Sequence, residues 1–222
     1  MQEVDYSSNV GVSIAKELAH AKAHLEPLEG PVVAVFGSAR IREGHPYFSY
    51  AEALSAALSS QGYHILTGGG PGLMEAANRG AAQGPGKSIG LNIVLPFEAG
   101  GNPYQDVRLS FDRFAARKVV FAKYASAFVV MPGGVGTLDE LFEIATLIQC
   151  QKTQSVPIFL FGTAFWGGLL KWMEDSQLQL GLINRSDLDR FILVDTVDEL
   201  TCLLRSKLAY EPGALTGDPQ EG

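Results

Sequence analysis

Phe128-Val129-Val130-Met131-Pro132-Gly133-Gly134-Val135-Gly136-Thr137-Leu138-Asp139-Glu140 reads as a buried strand that runs into a glycine turn and leaves it as a helix. The run Ala127 to Met131 is short, apolar and β-branched enough for a central parallel strand. Pro132 has no N–H to give the ladder and ends it. Gly133, Gly134 and Gly136 are expected to take positive φ and to leave their amides uncovered. Leu138, Leu141, Phe142, Ala145 and Ile148 then give the helix an apolar face at helical spacing. Uncovered amides at the positive end of a helix make a place for an anion such as a phosphate.

Two common phosphate-binding patterns do not fit this stretch. No Gly-Lys-Ser/Thr follows the glycines, and no G-x-G-x-x-G opens the helix. The plain alternative is a glycine turn that only tightens a strand–helix corner.

Outward from this centre the chain repeats the same unit. Strands are expected at Val32–Phe36, His64–Thr67, Ser88–Leu95, Val107–Phe111, Pro157–Phe161 and Phe191–Val194. Helices are expected at Val10–Leu25, Tyr47–Gln61, Leu73–Gln83, Asp112–Tyr124, Phe165–Glu174 and Val197–Leu208. Strand and helix in alternation imply an α/β fold: a doubly wound parallel sheet with right-handed crossovers, in a single domain. Residues 1–30 form an N-terminal helical extension, 31–210 the nucleotide-binding domain and 211–222 a disordered tail. Such sheets bind ligands beyond the carboxyl ends of their strands, where the strand order reverses. Three small-residue turns lie at such ends: Gly37-Ser38, Gly68-Gly69-Gly70 and Gly133-Gly134. If they converge, the ligand is long enough to touch more than one of them, and a nucleotide has that size.

The 222 residues carry a net charge of −7, with no basic stripe to offset it, which argues against a nucleic-acid polymer as partner. No apolar run reaches membrane-spanning length and the N-terminus has no signal-peptide pattern, so the expected compartment is the cytoplasm. Cys150 and Cys202 suggest neither a disulfide framework nor a metal knuckle, and Cys150 is expected as a small core residue. His20 and His24 are spaced to share a helix face, but no third ligand accompanies them, so no metal site is expected.

Glu140 sits where a nucleotide's sugar would lie, within the first turn of the central helix. An ionised carboxylate beside a bound sugar suits cleavage through an oxocarbenium-like transition state, and the helix dipole would keep it ionised. Thr137 precedes it at capping-box spacing, and the alternative reading of Glu140 is a cap for the Thr137 N–H. Asp139 is the other carboxylate in reach. Arg113, Arg117 and Lys118 cluster on the preceding helix, and the pair Arg117-Lys118 beside Val119-Val120-Phe121 is suited to clamping a phosphate or orienting a ribose. Ser38, Glu75, Asn78, Glu98 and Thr146 are weaker candidates, each also readable as a cap or surface residue.

Arg117-Lys118 followed by Pro132-Gly133-Gly134-Val135-Gly136-Thr137-Leu138-Asp139-Glu140 resembles the LOG ("lonely guy") family of cytokinin riboside 5′-monophosphate phosphoribohydrolases, often labelled lysine decarboxylase-like. Gly68-Gly69-Gly70-Pro71-Gly72-Leu73-Met74 and Phe36-Gly37-Ser38 are similar to the family as well. The resemblance implies a Rossmann-like fold and a homodimer with the site near the subunit interface. It implies hydrolysis of AMP or N6-substituted AMP to free base and ribose 5-phosphate, with no cofactor. It implies Arg117 and Glu140 as catalytic residues. Ser38, Gly69, Gly70, Glu98, Lys118, Gly133, Gly134, Gly136, Thr137 and Thr146 are then the substrate-binding residues. No lysine stands in a recognisable pyridoxal phosphate setting, so the decarboxylase label has no chemical support. A non-catalytic nucleotide or phosphorylated-cofactor carrier would use the same glycine turns.

Overall fold

The computed structural model describes residues 9–94, 100–208 and 210. Its elements in chain order are α1 (Asn9–Leu25), β1 (Val32–Phe36), α2 (Pro46–Ser60), β2 (His64–Thr67), α3 (Leu73–Ala81), β3 (Ser88–Ile93), β4 (Val107–Phe111), α4 (Phe114–Tyr124), β5 (Ala127–Val130), α5 (Val135–Gln149), β6 (Ile158–Phe161), α6 (Thr163–Trp172), α7 (Arg185–Leu188), β7 (Phe191–Val194) and α8 (Val197–Leu208). The expected disordered tail at 211–222, the polar N-terminal residues before Asn9, and Glu98 lie outside the described residues.

The strands form one seven-stranded sheet in the order β4-β3-β2-β1-β5-β6-β7, and every pairing is parallel. After β1 the chain steps outward through β2, β3 and β4, then returns across the sheet to place β5 on the other side of β1. The order therefore reverses between β1 and β5. This is the Rossmann-like, doubly wound architecture expected from the alternation of strands and helices.

The period of two along each strand divides the core into two layers. Ala34, Phe36, Phe128, Val130 and Leu160 point to one face, where they pack with residues of α1, α4, α5 and α6. Val33, Val35, Ala127, Val129 and Phe159 point to the other, against α2, α3 and α8. The central strands are fully buried, which is why they read as unbroken apolar runs rather than alternating ones. Helix α1 joins the first layer through Ala21 and Leu25, both buried. On the other face α2 and α3 approach so closely that a Cβ on Gly80 would fall 2.1 Å from the Glu52 carbonyl.

The differences from the sequence reading cluster at helix ends. Helix α4 begins at Phe114 with Arg113 as its N-cap. Helix α6 runs on into a π-helical turn over Met173–Leu178, and the short α7 was not anticipated. Cys150 is the exposed C-cap of α5, not a core residue. The buried stripe of that helix is Leu141, Ile144 and Ile148, and Cys150 lies two residues past its end, where the chain has turned away from the sheet.

Candidate active site

The three glycine-bearing turns meet at the carboxyl edge. The register sets Phe36 beside Val130, so β1 and β5 leave the sheet level with each other. The Ser38 N–H then donates to the Pro132 carbonyl (3.1 Å) and the Ser38 carbonyl accepts from Leu73 N–H (2.9 Å). One residue thus ties the exit of β1 to the exit of β5 and to the start of α3. The approach depends on missing side chains: a Cβ on Gly37 would lie 3.0 Å from that of Leu73 and 3.1 Å from that of Met131. Gly72 is held at φ 71° with its Cβ position 2.5 Å from the Ser38 carbonyl oxygen, so an L side chain there is both strained and blocked.

After β5 the backbone behaves differently from the expectation. Gly133, Gly134 and Gly136 are absent from the positive-φ glycines, so these positions do not use glycine for a left-handed conformation. Gly133 is needed for contact, because its Cβ would fall 2.0 Å from Thr137 Oγ1. Gly134 and Gly136 have open space where a Cβ would stand. Helix α5 begins at Val135 with Gly134 as its N-cap and no side chain capping it. The N–H groups of Val135 and Gly136 precede the first intrahelical bonds by geometry. Among the described residues, no backbone acceptor meets them or the N–H of Gly134. No acidic residue occupies the first turn of α5, whereas Glu75 occupies that of α3. Of the two helices that open from the glycine turns after β2 and β5, α5 is the one without a first-turn carboxylate, which leaves its dipole for an anion.

The early start of α5 also decides the Thr137–Glu140 question. Thr137 N–H donates to the Gly134 carbonyl (3.0 Å), so it needs no cap. Glu140 is therefore in the second turn of α5, not the first, and faces Arg117 on α4: Arg117 Nη2 donates to Glu140 Oε1 at 3.2 Å, with the side chains 12% and 10% exposed. Glu140 Oε2 has no hydrogen-bond partner among the described residues. Burial pushes the Glu140 carboxyl above the ordinary glutamate value, the charges of Arg117 and Lys118 pull it back, and the net direction is up. The expectation that the helix dipole holds it ionised is thus replaced: desolvation dominates, and the neighbouring cations are what favour the anion. Arg117 lies over the rings of Phe114 (5.1 Å) and Phe121 (6.0 Å). Its Nη1 is 3.8 Å from the Cβ position of Gly68. The guanidinium therefore stands between Glu140 and the turn after β2.

Other candidates are placed elsewhere. Lys118 Nζ bonds Asp139 Oδ2 (2.9 Å) and Glu143. Burial opposes its charge, the two carboxylates outweigh that, and its pKa is raised. Asp139 is largely exposed and committed to Lys118. Thr146 is exposed and donates back to the Phe142 carbonyl of its own helix (2.7 Å), about 9 Å along α5 from Glu140. It lines an open groove of about 700 Å³ with Val135, Leu138, Asp139, Phe142, Glu143 and Leu147. His20 and His24 contact each other, and no cluster of three or more metal-ligating side chains occurs among the described residues.

Sequence reasoning gave no role to the polar network under the turn after β2. Asn78, one of its members, reads from the sequence only as a weak candidate, and Asn102 and Gln105 carry no sequence signal. Asn102 Nδ2 reaches the carbonyls of Gly69 (3.1 Å) and Gly70 (3.0 Å) and Asn78 Oδ1 (2.9 Å). Gln105 Nε2 reaches the Gly69 carbonyl at 2.9 Å. Nothing in periodicity or motif spacing marks these residues, which sit in and after an irregular loop.

Taken together, these features define a doubly wound α/β protein with three glycine-bearing turns converging at the switch point and a buried Arg–Glu pair beside them. The chain belongs to the family described as possible lysine decarboxylase, which matches residues 74–204, the group that also holds the LOG proteins. A probable cytokinin riboside 5′-monophosphate phosphoribohydrolase of Oryza sativa subsp. japonica is 30% identical over 186 residues, covering 81% of this chain and 80% of the relative. A cytokinin riboside 5′-monophosphate phosphoribohydrolase of Mycobacterium marinum is 28% identical over 159 residues, covering 70% and 84%. Among solved structures, the molybdenum cofactor carrier protein of Chlamydomonas reinhardtii superposes with a TM-score of 0.60 at 23% identity, over 82% of this chain and 100% of that one. That likeness is one of fold. No helix among the described residues is long and apolar enough to cross a membrane.

Proposed function

We propose that the protein hydrolyses the N-glycosidic bond of a nucleoside 5′-monophosphate, AMP or an N6-substituted AMP, giving free base and ribose 5-phosphate. The observation that carries this reading is the buried Arg117–Glu140 pair standing beside the open N-terminus of α5. The names of the sequence relatives support the same substrate class. In this reading the amides at Gly133, Gly134 and Gly136, with Thr137, hold the phosphate. Ser38, Gly69 and Gly70 form the opposite wall. Binding of the phosphate, remote from the reacting bond, fixes the ribose over Glu140. Water adds to C1′ while the C1′–N9 bond breaks and its electron pair leaves on the purine, which takes up the proton that the water gives up. Glu140 faces the cationic ribose, and Arg117 keeps the carboxylate oriented and ionised. Lys118 acts through Asp139 and Glu143, not by direct contact.

The decarboxylase label asks for a lysine able to form a Schiff base. Lys118, the lysine at this site, is held protonated by two carboxylates, the reverse of what that chemistry needs. Pairing of two copies is assigned to the outer face of α5, where Val135 is 84% exposed and Leu138, Phe142 and Leu147 line the open groove next to the site.

Incubation with AMP, following adenine by chromatography, tests the activity, and adenosine in place of AMP tests the phosphate anchor. Glu140→Gln is expected to keep AMP binding and to lose base release by at least about 100-fold. Unchanged turnover in that variant would remove the mechanism. Tight AMP binding by the unmodified protein without adenine release would make it a carrier instead.

A further inference from the structure

The peptide joining Gly69 to Gly70 is held in one orientation by an unusual number of donors. The Gly69 carbonyl accepts from Asn102 N–H (2.8 Å), from Asn102 Nδ2 (3.1 Å) and from Gln105 Nε2 (2.9 Å). The Gly70 carbonyl accepts from the same Asn102 amide (3.0 Å). Asn102 is itself fixed: its Oδ1 accepts from Tyr104 N–H (3.2 Å), and the side facing two main-chain carbonyls must be its NH₂. Behind it, Asn78 Oδ1 takes Asn102 Nδ2 and the Thr67 hydroxyl (2.6 Å), and Asn78 Nδ2 donates to Ser88 Oγ (2.9 Å). Thr67, Asn78 and Ser88 are wholly buried and Asn102 is nearly so. The turn above cannot accept any other residue, since a Cβ on Gly69, at φ 72°, would fall 2.1 Å from Asn92 Oδ1.

In a trans peptide the C=O and N–H point to opposite sides, and no cis peptide occurs among the described residues. Anchoring the Gly69 carbonyl toward Asn102 and Gln105 therefore turns the Gly70 N–H away from them. Among the described residues no acceptor meets that N–H. We infer that Asn102, assisted by Gln105, is a positioning residue that aims the Gly70 N–H into the crevice, where it donates to a neutral acceptor of the bound nucleotide. The acceptor is neutral because Glu75 already occupies the first turn of α3 at this turn, while the uncapped α5 takes the phosphate. Ribose hydroxyls and purine nitrogens share that chemistry. This inference rests on the proposed substrate class.

Protein labelled with 15N-glycine tests it by NMR, titrated separately with inorganic phosphate, ribose 5-phosphate and AMP. AMP is expected to shift the Gly70 amide and slow its hydrogen exchange, while inorganic phosphate shifts Gly133, Gly134 and Gly136 and leaves Gly70 unmoved. A Gly70 response to ribose 5-phosphate places the acceptor on the sugar, and a response to AMP only places it on the base. Asn102→Asp sets a carboxylate against two carbonyls and is expected to abolish the Gly70 response while the phosphate responses of Gly134 and Gly136 persist. Gln105→Met, which removes one donor at a half-buried position, is expected to weaken it in the same direction. Loss of this one contact corresponds to a rise in KM for AMP of roughly three- to tenfold, with kcat changed less. A Gly70 amide unmoved by AMP that shifts Gly134 and Gly136 overturns the inference. So does a shift by inorganic phosphate alone, or a wild-type response in both variants. A Gly70 response in a protein that releases no adenine leaves the inference standing and sinks the hydrolase reading instead.

Discussion

Replacing Arg117 by methionine leaves Glu140 in its buried position without the cation that balances it. At the 3.2 Å separation of the pair and an effective dielectric of about 20, the attraction is about 5 kcal/mol. Both side chains have given up hydration to reach that geometry, so the net worth of the intact pair is smaller, and breaking it from one side is the costly step. Arg117→Met is therefore expected to destabilise by about 3–5 kcal/mol, a large part of the roughly 5–15 kcal/mol that holds such a domain folded. For a chain of this size the fall in Tm is roughly 6–20 °C. The double variant Arg117→Met/Glu140→Gln removes the stranded charge and should recover most of that loss, without recovering adenine release. Acid also relieves it. The folded carboxyl titrates above its unfolded value, so ionised Glu140 costs stability above the folded pKa, and the cost fades as pH falls through it. Removing Arg117 raises the carboxyl further, so the deficit against wild type is fullest near neutral pH and shrinks on acidification. Urea denaturation of the four proteins of the cycle at two pH values measures all of this. A single-variant loss under about 1 kcal/mol, with no coupling between the two positions, would show a solvated pair and refute the argument.

Gly136→Ala should separate stability from binding. Position 136 lies in α5 with nothing within 4 Å of its Cβ, so alanine is expected to stabilise by about 0.5–1 kcal/mol. The added methyl stands beside the proposed phosphate, so AMP affinity should fall, read by calorimetry on the same sample. Val135→Asp is expected to leave the fold intact and to convert a dimer to a monomer in sedimentation velocity. An unchanged dimer would move the subunit contact off the outer face of α5. Asn78→Ala, which opens the wholly buried network at its centre, should cost more stability than Gln105→Met, measured by thermal unfolding of the two.

The alternation of apolar runs with amphipathic segments sufficed to determine an all-parallel sheet, because strands covered on both faces must be apolar throughout and joined by crossovers. It also located the strand–turn–helix proposed to hold the anion, since a strand, a proline, glycines and a helix in immediate succession are local chemistry. Helix ends were less legible. Capping-box spacing alone makes Thr137 a cap, and only the actual start at Val135, with Thr137 N–H already donated to Gly134, releases Glu140 to meet Arg117. The glycines at 133, 134 and 136 are legible as residues but not in purpose: none takes positive φ, Gly133 gives clearance to Thr137, and the packing of the fold itself asks for no glycine at 134 or 136. The direction of the Glu140 titration was out of reach as well, because burial is a property of the packed molecule and outweighs the local dipole. Asn102 is the extreme case. Its partners Gly69 and Asn78 lie 33 and 24 residues away, and a hydrogen bond between distant segments leaves no periodic trace in the chain.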